Sequence, residues 1–451
     1  MDRAPANGEP APPPPAPPPG RCHFWLPSKR RHCANSPLRS TQYCGNHPPE
    51  SSSSSSRRRV PCPVDPSHTV FEDNLEAHVG KCPFRKHANA LAAQPYYSKA
   101  INSGGGGAAL TSAAKRAAVH KLSEQEFRGL VAKIRSAHAS AAVQMRDSHV
   151  APVACDKWMK GQVDRTVPYQ EKHVVQQVSI VGNMEAFGLL PRGGAGDAAA
   201  ENALAVVEFG AGRGYLTQML ADCYGIKNIF LVERRSYKLK ADRSLRQNEG
   251  VTLERLRIDI EDLNLHGVQT LIGSQYLAIG KHLCGPATDM TMMCCLHEQH
   301  NYTEEKGHDK CRLQGLALAT CCHHLCQWKH YANKAFLSGL GIAEEEFHAM
   351  TWFSSWAVDG DHSSQDSLEA EDSSSEVRET KKPDLEFTGI ERIIRGMPGE
   401  ERNALGFMCK DIIDSGRLLW LRSKGLDADL VSYVPSNISP ENHLLIAKCR
   451  S

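Results

Sequence analysis

The sequence predicts an α/β protein: a doubly wound, Rossmann-like sheet with an antiparallel edge strand, preceded by two small zinc fingers and a helical connector. Three observations carry this reading. Beyond residue 171, apolar runs of strand length alternate with helix-length stretches, the pattern of a parallel sheet wrapped by helices. The first such run, Ala205-Val206-Val207-Glu208-Phe209, ends in Gly210-Ala211-Gly212-Arg213-Gly214. Before residue 90, cysteine and histidine recur twice at metal-ligand spacings.

Composition bounds the rest. A chain of 451 residues has room for about three domains. A hydrophobic content of 41% suits one sizeable core, and a net charge of +2 means that any basic surface is local. Residues 1–20 form a Pro/Ala-rich leader without the cationic start and apolar centre of a signal peptide. No run approaches the roughly 18 apolar residues of a membrane helix. Sixteen cysteines then read as reduced thiols, some of them metal ligands. The expectation is a soluble, intracellular, monomeric protein of the cytoplasm, the nucleus or both.

Residues 21–49 hold Cys22, Cys33, Cys44 and His47, spaced C-x10-C-x10-C-x2-H, among Phe24, Trp25, Lys29, Arg30, Arg31 and Arg39. So short a segment buries too little apolar surface to fold alone, and a zinc ion supplies the missing free energy. Residues 50–59 are a Ser/Arg linker whose basic end suits phosphate. Residues 60–86 carry Cys62, His68, His78 and Cys82, spaced C-x5-H-x9-H-x3-C, with the last two on one face of a short helix. Two structural zinc ions are therefore expected, in fingers that recognise RNA or protein. Their cations and aromatics favour RNA, and DNA is not expected.

Residues 87–112, with Gly104 to Gly107, read as a second linker, and 113–170 as a helical connector. Its stripe of Leu122, Phe127, Leu130, Val131 and Ile134 is too short for a coiled coil, so this helix should pack on a neighbour.

Within residues 171–451, Lys172 to Leu190 reads as a helix covering the cleft, with His173 a packing residue. The glycine loop follows, opening the helix Leu216 to Cys223. Alternate glycines permit positive φ and let a ligand lie against backbone. G-x-G-x-G lacks the dinucleotide fingerprint, and Glu208 ahead of it suits a ligand with a cationic amino-acid end, such as S-adenosylmethionine. The second strand ends in Glu233, placed for ribose hydroxyls, and the third, Leu253 to Ile258, in Asp259, placed for the adenine amino group. The cationic helix Ser236 to Gln247 reads as a solvated face. A fourth strand, Gln275 to Gly280, leads into a loop holding Lys281, His282 and Cys284, before Pro286 opens a helix containing Asp289. The fifth strand, Gly315 to Thr320, runs into Cys321-Cys322-His323-His324-Leu325-Cys326, too crowded for one four-coordinate site and read as pocket lining. Residues 359–385 are an acidic, disordered insertion. Ile390 to Ser423 is helical, and Ala428–Tyr433 with His443–Lys448 form the terminal hairpin.

In order, the C-C-C-H and C-H-H-C fingers, V-E-F-G-A-G-R-G, K-H-L-C-G-P-A-T-D, C-C-H-H-L-C and S-P-E-N resemble one family. It is the eukaryotic tRNA ribose 2′-O-methyltransferase family of the Trm-thirteen type, which modifies nucleotide 4 of the acceptor stem. The likeness spans about Arg21 to Lys448, apart from the two linkers and the acidic insertion. It implies methyl transfer from S-adenosylmethionine to a ribose 2′-hydroxyl in tRNAs such as those for glycine, proline and histidine.

Such a reaction needs the hydroxyl in line with the sulfonium and help in removing its proton. Lys281 or His282 could serve, or Asp289 through one of them. An unperturbed lysine pKa of about 10.4 favours Lys281 as a cation holding the developing alkoxide. Cys284 would be a nucleophile only in a base-modifying enzyme. The alternatives are a protein or small-molecule methyltransferase whose fingers bind a partner, and an inactive RNA-binding module. Intact Glu208, Gly210, Gly212, Gly214, Glu233 and Asp259 argue against the latter.

Overall fold

The computed structural model describes residues 16–17, 19–26, 31–33, 36–37, 41–44, 58–65, 68–141, 143–162, 171–194, 204–235, 245–246, 250–296, 311–357 and 389–450, with His282 described in its backbone only. Most of the leader, His47, most of the Ser/Arg linker, most of the helix expected over Ser236 to Gln247 and the acidic insertion lie outside these residues. The chain divides into two compact units, Met1–Asn89 and Ala90–Ser451.

In the first unit, strands β1 (Trp25–Leu26) and β2 (Arg31–His32) pair antiparallel beside buried Cys22, Cys33 and Cys44. Strands β3 (Arg59–Pro61) and β4 (Thr69–Phe71) form a second ribbon, followed by a helix over Leu75–Lys81. Arg59, expected in the linker, is instead part of this ribbon. It pairs with Phe71, stacks its guanidinium 4.8 Å from that ring, and donates to the Thr69 carbonyl.

The second unit is built on eight strands: β5 (Arg146–Asp147), β6 (Ala205–Phe209), β7 (Asn228–Val232), β8 (Thr252–Leu256), β9 (Gln275–Cys284), β10 (Arg312–Cys321), β11 (Leu426–Ser432) and β12 (His443–Cys449). Their order across the sheet is β5-β11-β12-β10-β9-β6-β7-β8. From β6 the chain steps outward to β7 and β8, then returns to β9 and β10 on the other side, all parallel. The strand order therefore reverses between β6 and β9, where open α/β sheets bind ligands.

Alternation along each strand divides the core in two. Ala205, Val207 and Phe209 of β6 join Tyr276 and Ala278 of β9 in one cluster, together with Leu418 and Leu421. Val206, Leu277 and Ile279 join the other, with Val178 and Val181 of the helix Glu171–Ala186 and Leu216 and Leu220 of the helix Tyr215–Tyr224. Burial on both faces explains why these strands read as continuous apolar runs. A third cluster joins Phe127, Leu130 and Ile134 of the helix Glu124–Ala141 to Leu405, Cys409 and Ile412 of the helix Gly399–Ser423.

Four expectations are corrected. Residues 87–112 are not a free linker. Asn102 is buried and donates to the carbonyls of Ile260 and Leu263, and the Tyr97 backbone bridges to Leu263. Downstream, the Gln327 side chain donates to the Leu110 carbonyl and accepts from its N–H. The antiparallel terminal hairpin is not the edge, because β12 lies inside the sheet and two-residue β5 pairs parallel outside β11. The helical stretch from Ile390 breaks at Pro398, which lacks the N–H that a helix interior needs. Lastly, β9 continues past Gly280 through Cys284. After a register shift it pairs Leu283 with Thr320 and Cys284 with Cys321, so Lys281, His282 and Cys284 stand on a strand and not on a loop.

Candidate functional site

The turn after β6 is made by glycine. Gly210, Gly212 and Gly214 all have positive φ, at 60°, 50° and 77°, which side chains with a Cβ seldom adopt. At Gly214 an added Cβ would also lie 3.1 Å from Leu231. The turn presents backbone and not side chains, and it delivers the chain into the helix Tyr215–Tyr224.

The three acids predicted at strand ends are gathered around this turn. Glu233 accepts the Gly212 N–H on Oε2 (3.0 Å) and the Arg235 N–H on Oε1 (2.9 Å). Asp259 accepts the Glu261 N–H and pairs with Arg234 at 3.2 Å. Glu208 is buried, and its Oε2 accepts both the N–H and the hydroxyl of Thr217 in the first turn of the helix. Burial pushes its carboxyl up to about 7, against the pull of Thr217 and of Arg255 and Lys281.

Glu208, Gly210, Gly212, Gly214, Glu233 and Asp259 line one cavity of 840 Å³ with Lys281, Cys284 and His173. That size lies within the roughly 300–1,000 Å³ of small-molecule sites. It opens where the strand order reverses. Lys281 is buried, its Nζ 3.3 Å from His173 Nδ1. Burial lowers the lysine to about 8, though Cys321 and Glu208 raise it. Burial and then the charge of Lys281 lower His173. An amine neutral in part near physiological pH, at the mouth of a cavity, can accept a proton.

Of the other expected catalytic residues, the His282 side chain lies outside the described residues. Asp289 is not part of the cavity lining. The helix Pro286–Leu296 carries it inward, where it is fully buried, pairs with Arg417 at 2.5 Å and accepts the Ala332 N–H. It anchors the fold and is not exposed to a substrate in the cavity.

Sequence reasoning set His173 aside and missed Arg255. That arginine sits on strand β8 and donates to the Gly212 carbonyl at 3.0 Å. A charge facing inward on a half-buried strand was the available signal.

In the finger unit, Cys62, His68, His78 and Cys82 bring their ligand atoms within 4.8 Å of one another, as do Cys22, Cys33 and Cys44. Cys62 Sγ and Cys82 Sγ are 3.9 Å apart, and Cys33 Sγ and Cys44 Sγ 4.0 Å. A tetrahedral zinc with sulfur bonds of about 2.3 Å needs sulfurs about 3.8 Å apart, so both donor sets fit that ion. His47, expected as the fourth ligand of the first finger, lies outside the described residues.

A family model described as "Methyltransferase TRM13" matches residues 175–448. The chain belongs to the TRM13 methyltransferase family. The "CCCH zinc finger in TRM13 protein" matches residues 20–48, and the "U11-48K-like CHHC zinc finger" residues 59–83. Similar curated proteins carry the same family name. A rice protein named "tRNA:m(4)X modification enzyme TRM13" is 71% identical over 53% of this chain and 99% of its own length. A mouse "tRNA:m(4)X modification enzyme TRM13 homolog" is 31% identical over 95% of this chain and 94% of its own. The Saccharomyces cerevisiae protein named TRM13 is 25% identical over 94% of each. This TRM13 chain is thus a methyltransferase with two zinc-finger modules ahead of a doubly wound catalytic sheet.

Proposed function

We propose that this TRM13 chain transfers a methyl group from S-adenosylmethionine to the ribose 2′-hydroxyl of nucleotide 4 in the tRNA acceptor stem. The observation that carries the proposal is the single cavity joining the glycine turn and its three acids to buried Lys281. The names of the relatives supply the substrate class, tRNA.

S-adenosylmethionine supplies an activated methyl on a sulfonium. The donor groups present fit it. Glu233 and Asp259 would bind the ribose hydroxyls and the adenine amino group, since each carboxylate oxygen has two lone pairs and accepts one bond here, three from backbone N–H groups and one from Arg234. Gly210, Gly212 and Gly214 leave backbone open to the ligand, and Glu208 would face its ammonium end. Lys281 takes the proton of the 2′-hydroxyl. Its lowered pKa turns the earlier preference for a purely electrostatic lysine into one for a base. Burial keeps that amine from being fully charged.

A-form RNA exposes its 2′-hydroxyls in a shallow minor groove that is read by shape. Two zinc-bound fingers that hold the acceptor stem would set which ribose reaches the cavity. The protein would act as a monomer inside the cell.

The decisive experiment is transfer of labelled methyl from S-adenosylmethionine to total tRNA, followed by nuclease mapping. Label is expected in a nuclease-resistant dinucleotide at nucleotide 4. Gly212→Asp should abolish it, because the new carboxylate would sit beside Glu233 at a positive φ. Label on a base, or none on tRNA while the donor still binds, would reject the proposal. Cys82→Ser, removing one finger ligand, should weaken tRNA binding and spare donor binding.

Glu208 makes a separate pH prediction. Only its ionised form attracts a cationic ligand, and burial sets the transition near 7. Affinity for S-adenosylmethionine should therefore weaken as pH falls through about 7, by up to about tenfold per unit below it. Calorimetric titration at several pH values tests this, and in Glu208→Gln the dependence should vanish.

A further inference from the structure

Cys284, Cys321 and Cys322 bring three sulfurs within 4.8 Å of one another, with Cys284 Sγ and Cys321 Sγ 3.6 Å apart. This is the spacing of the finger thiols, 3.9 and 4.0 Å, and that of tetrahedral zinc–thiolate coordination, about 3.8 Å. The cluster lies in the second unit, at the end of two neighbouring strands. Cys284 faces Cys321 across the β9–β10 pair.

The backbone explains how the third sulfur arrives. Consecutive residues of an extended strand point to opposite faces, so Cys321 and Cys322 would normally diverge. Cys322 has φ 51° and ψ 47°, a left-handed conformation that is strained for a residue with a Cβ. Here both neighbours offer sulfur to one point. A disulfide between Cys284 and Cys321 would use two of the sulfurs and give no reason for the left-handed third.

The crowded run Cys321 to Cys326 is thereby sorted. His323 Nε2 is committed to Asp414 at 2.8 Å, and Cys326 Sγ accepts from Arg417 at 3.2 Å. Cys321 and Cys322 turn to the cluster, and the third ligand comes from the neighbouring strand.

We propose that Cys284, Cys321 and Cys322 form a third metal site, binding a soft divalent cation, zinc, through three thiolates. The fourth coordination position lies toward the cavity, because Cys284 is exposed and lines it. It is open to water or to an oxygen of the substrate. Among the described residues no fourth side chain joins the three sulfurs, and three protein ligands are the pattern of an open site and not of a closed structural one.

The test is metal content of the full chain, purified in reductant without added metal and measured by elemental mass spectrometry against amino-acid analysis. Wild type should hold one more zinc per chain than the Cys321→Ser/Cys322→Ser double variant, whatever the occupancy of the fingers. Cys284→Ser, at an exposed position, should lose the same equivalent and guards against misfolding of the double variant. After cobalt exchange, the wild-type thiolate-to-cobalt absorption should exceed that of Cys284→Ser by the share of three sulfurs. Equal zinc in wild type and Cys284→Ser would overturn the proposal. So would a wild-type chain two mass units light, with Cys284 linked to Cys321.

Discussion

Replacing Lys281 with methionine is expected to lower kcat by about 10²- to 10⁴-fold, the range for losing a positioned general base. S-adenosylmethionine affinity should stay close to wild type, because the glycine turn and Glu233 remain in place. The amine gains its proton-accepting capacity from burial, which brings it to about 8. The sign follows directly. Below that value Lys281 is charged and cannot accept a proton, so wild-type kcat should rise with pH through about 8 and then level. Lys281→Arg separates the two possible roles of the cation. A guanidinium stays protonated over this range and would serve an alkoxide electrostatically as well as an ammonium does. We expect the arginine variant to be as slow as the methionine variant, with a flat pH profile. An arginine variant near wild-type rate would rule out proton transfer to Lys281. Single-turnover kinetics on tRNA with saturating donor gives the relevant rate, free of product release.

Arg417→Met should produce the largest loss of stability in the catalytic unit. Its guanidinium is fully buried between two acids, 2.5 Å from Asp289 and 2.9 Å from Asp414, and also donates to the Gly285 carbonyl. Burial alone pushes the Asp414 carboxyl up, but His323, His443 and Arg417 together hold it well below the usual range. Asp414 Oδ2 alone receives Thr320, His323 and His443, each at 2.8 Å. Removing the guanidinium strands two buried carboxylates, which costs about 3–5 kcal/mol. For a unit of this size that corresponds to a fall in Tm of about 4–7 °C. Thermal unfolding followed by circular dichroism would show it. A melting point unchanged by the substitution would mean that the acids find other partners or take up protons cheaply. Since Arg417 ties the helix Gly399–Ser423 to the turn at Gly285, lost activity in this variant should track lost fold and not a changed rate constant.

Much of this arrangement was legible in the sequence. Alternating apolar strands, glycines at 210, 212 and 214, and acids at 208, 233 and 259 carry the sheet and the cavity in their spacing, because a parallel sheet buried on both faces leaves a plain periodic record. The finger ligands among the described residues were equally plain. What stayed hidden was long-range. Asp289 follows Pro286 closely enough to read as a loop residue near Lys281, and nothing local announces Arg417, 128 residues away, as its partner. Lys281 read as a loop residue because Gly280 ends an apolar run, whereas pairing with β10 carries the strand on. Its lowered pKa depends on burial that no spacing reports. His173 was read as packing because it lies among apolar helix positions, and only the fold turns it to the lysine.

The two-residue strand β5 has a consequence out of proportion to its length. It caps β11, pairing Arg146 with Val431 and Asp147 with Ser432, and the Ser148 N–H continues the pairing to the Ser432 carbonyl. The Ser148 carbonyl in turn accepts from Asn183 of the helix Glu171–Ala186. A fragment begun near residue 171, where the catalytic helices start, would strip this cover and leave β11 as a raw border of unpaired amides and carbonyls, a template for another chain. The segment ahead of the first catalytic strand is therefore cover for the end of this edge, and a fragment begun downstream of it loses that cover.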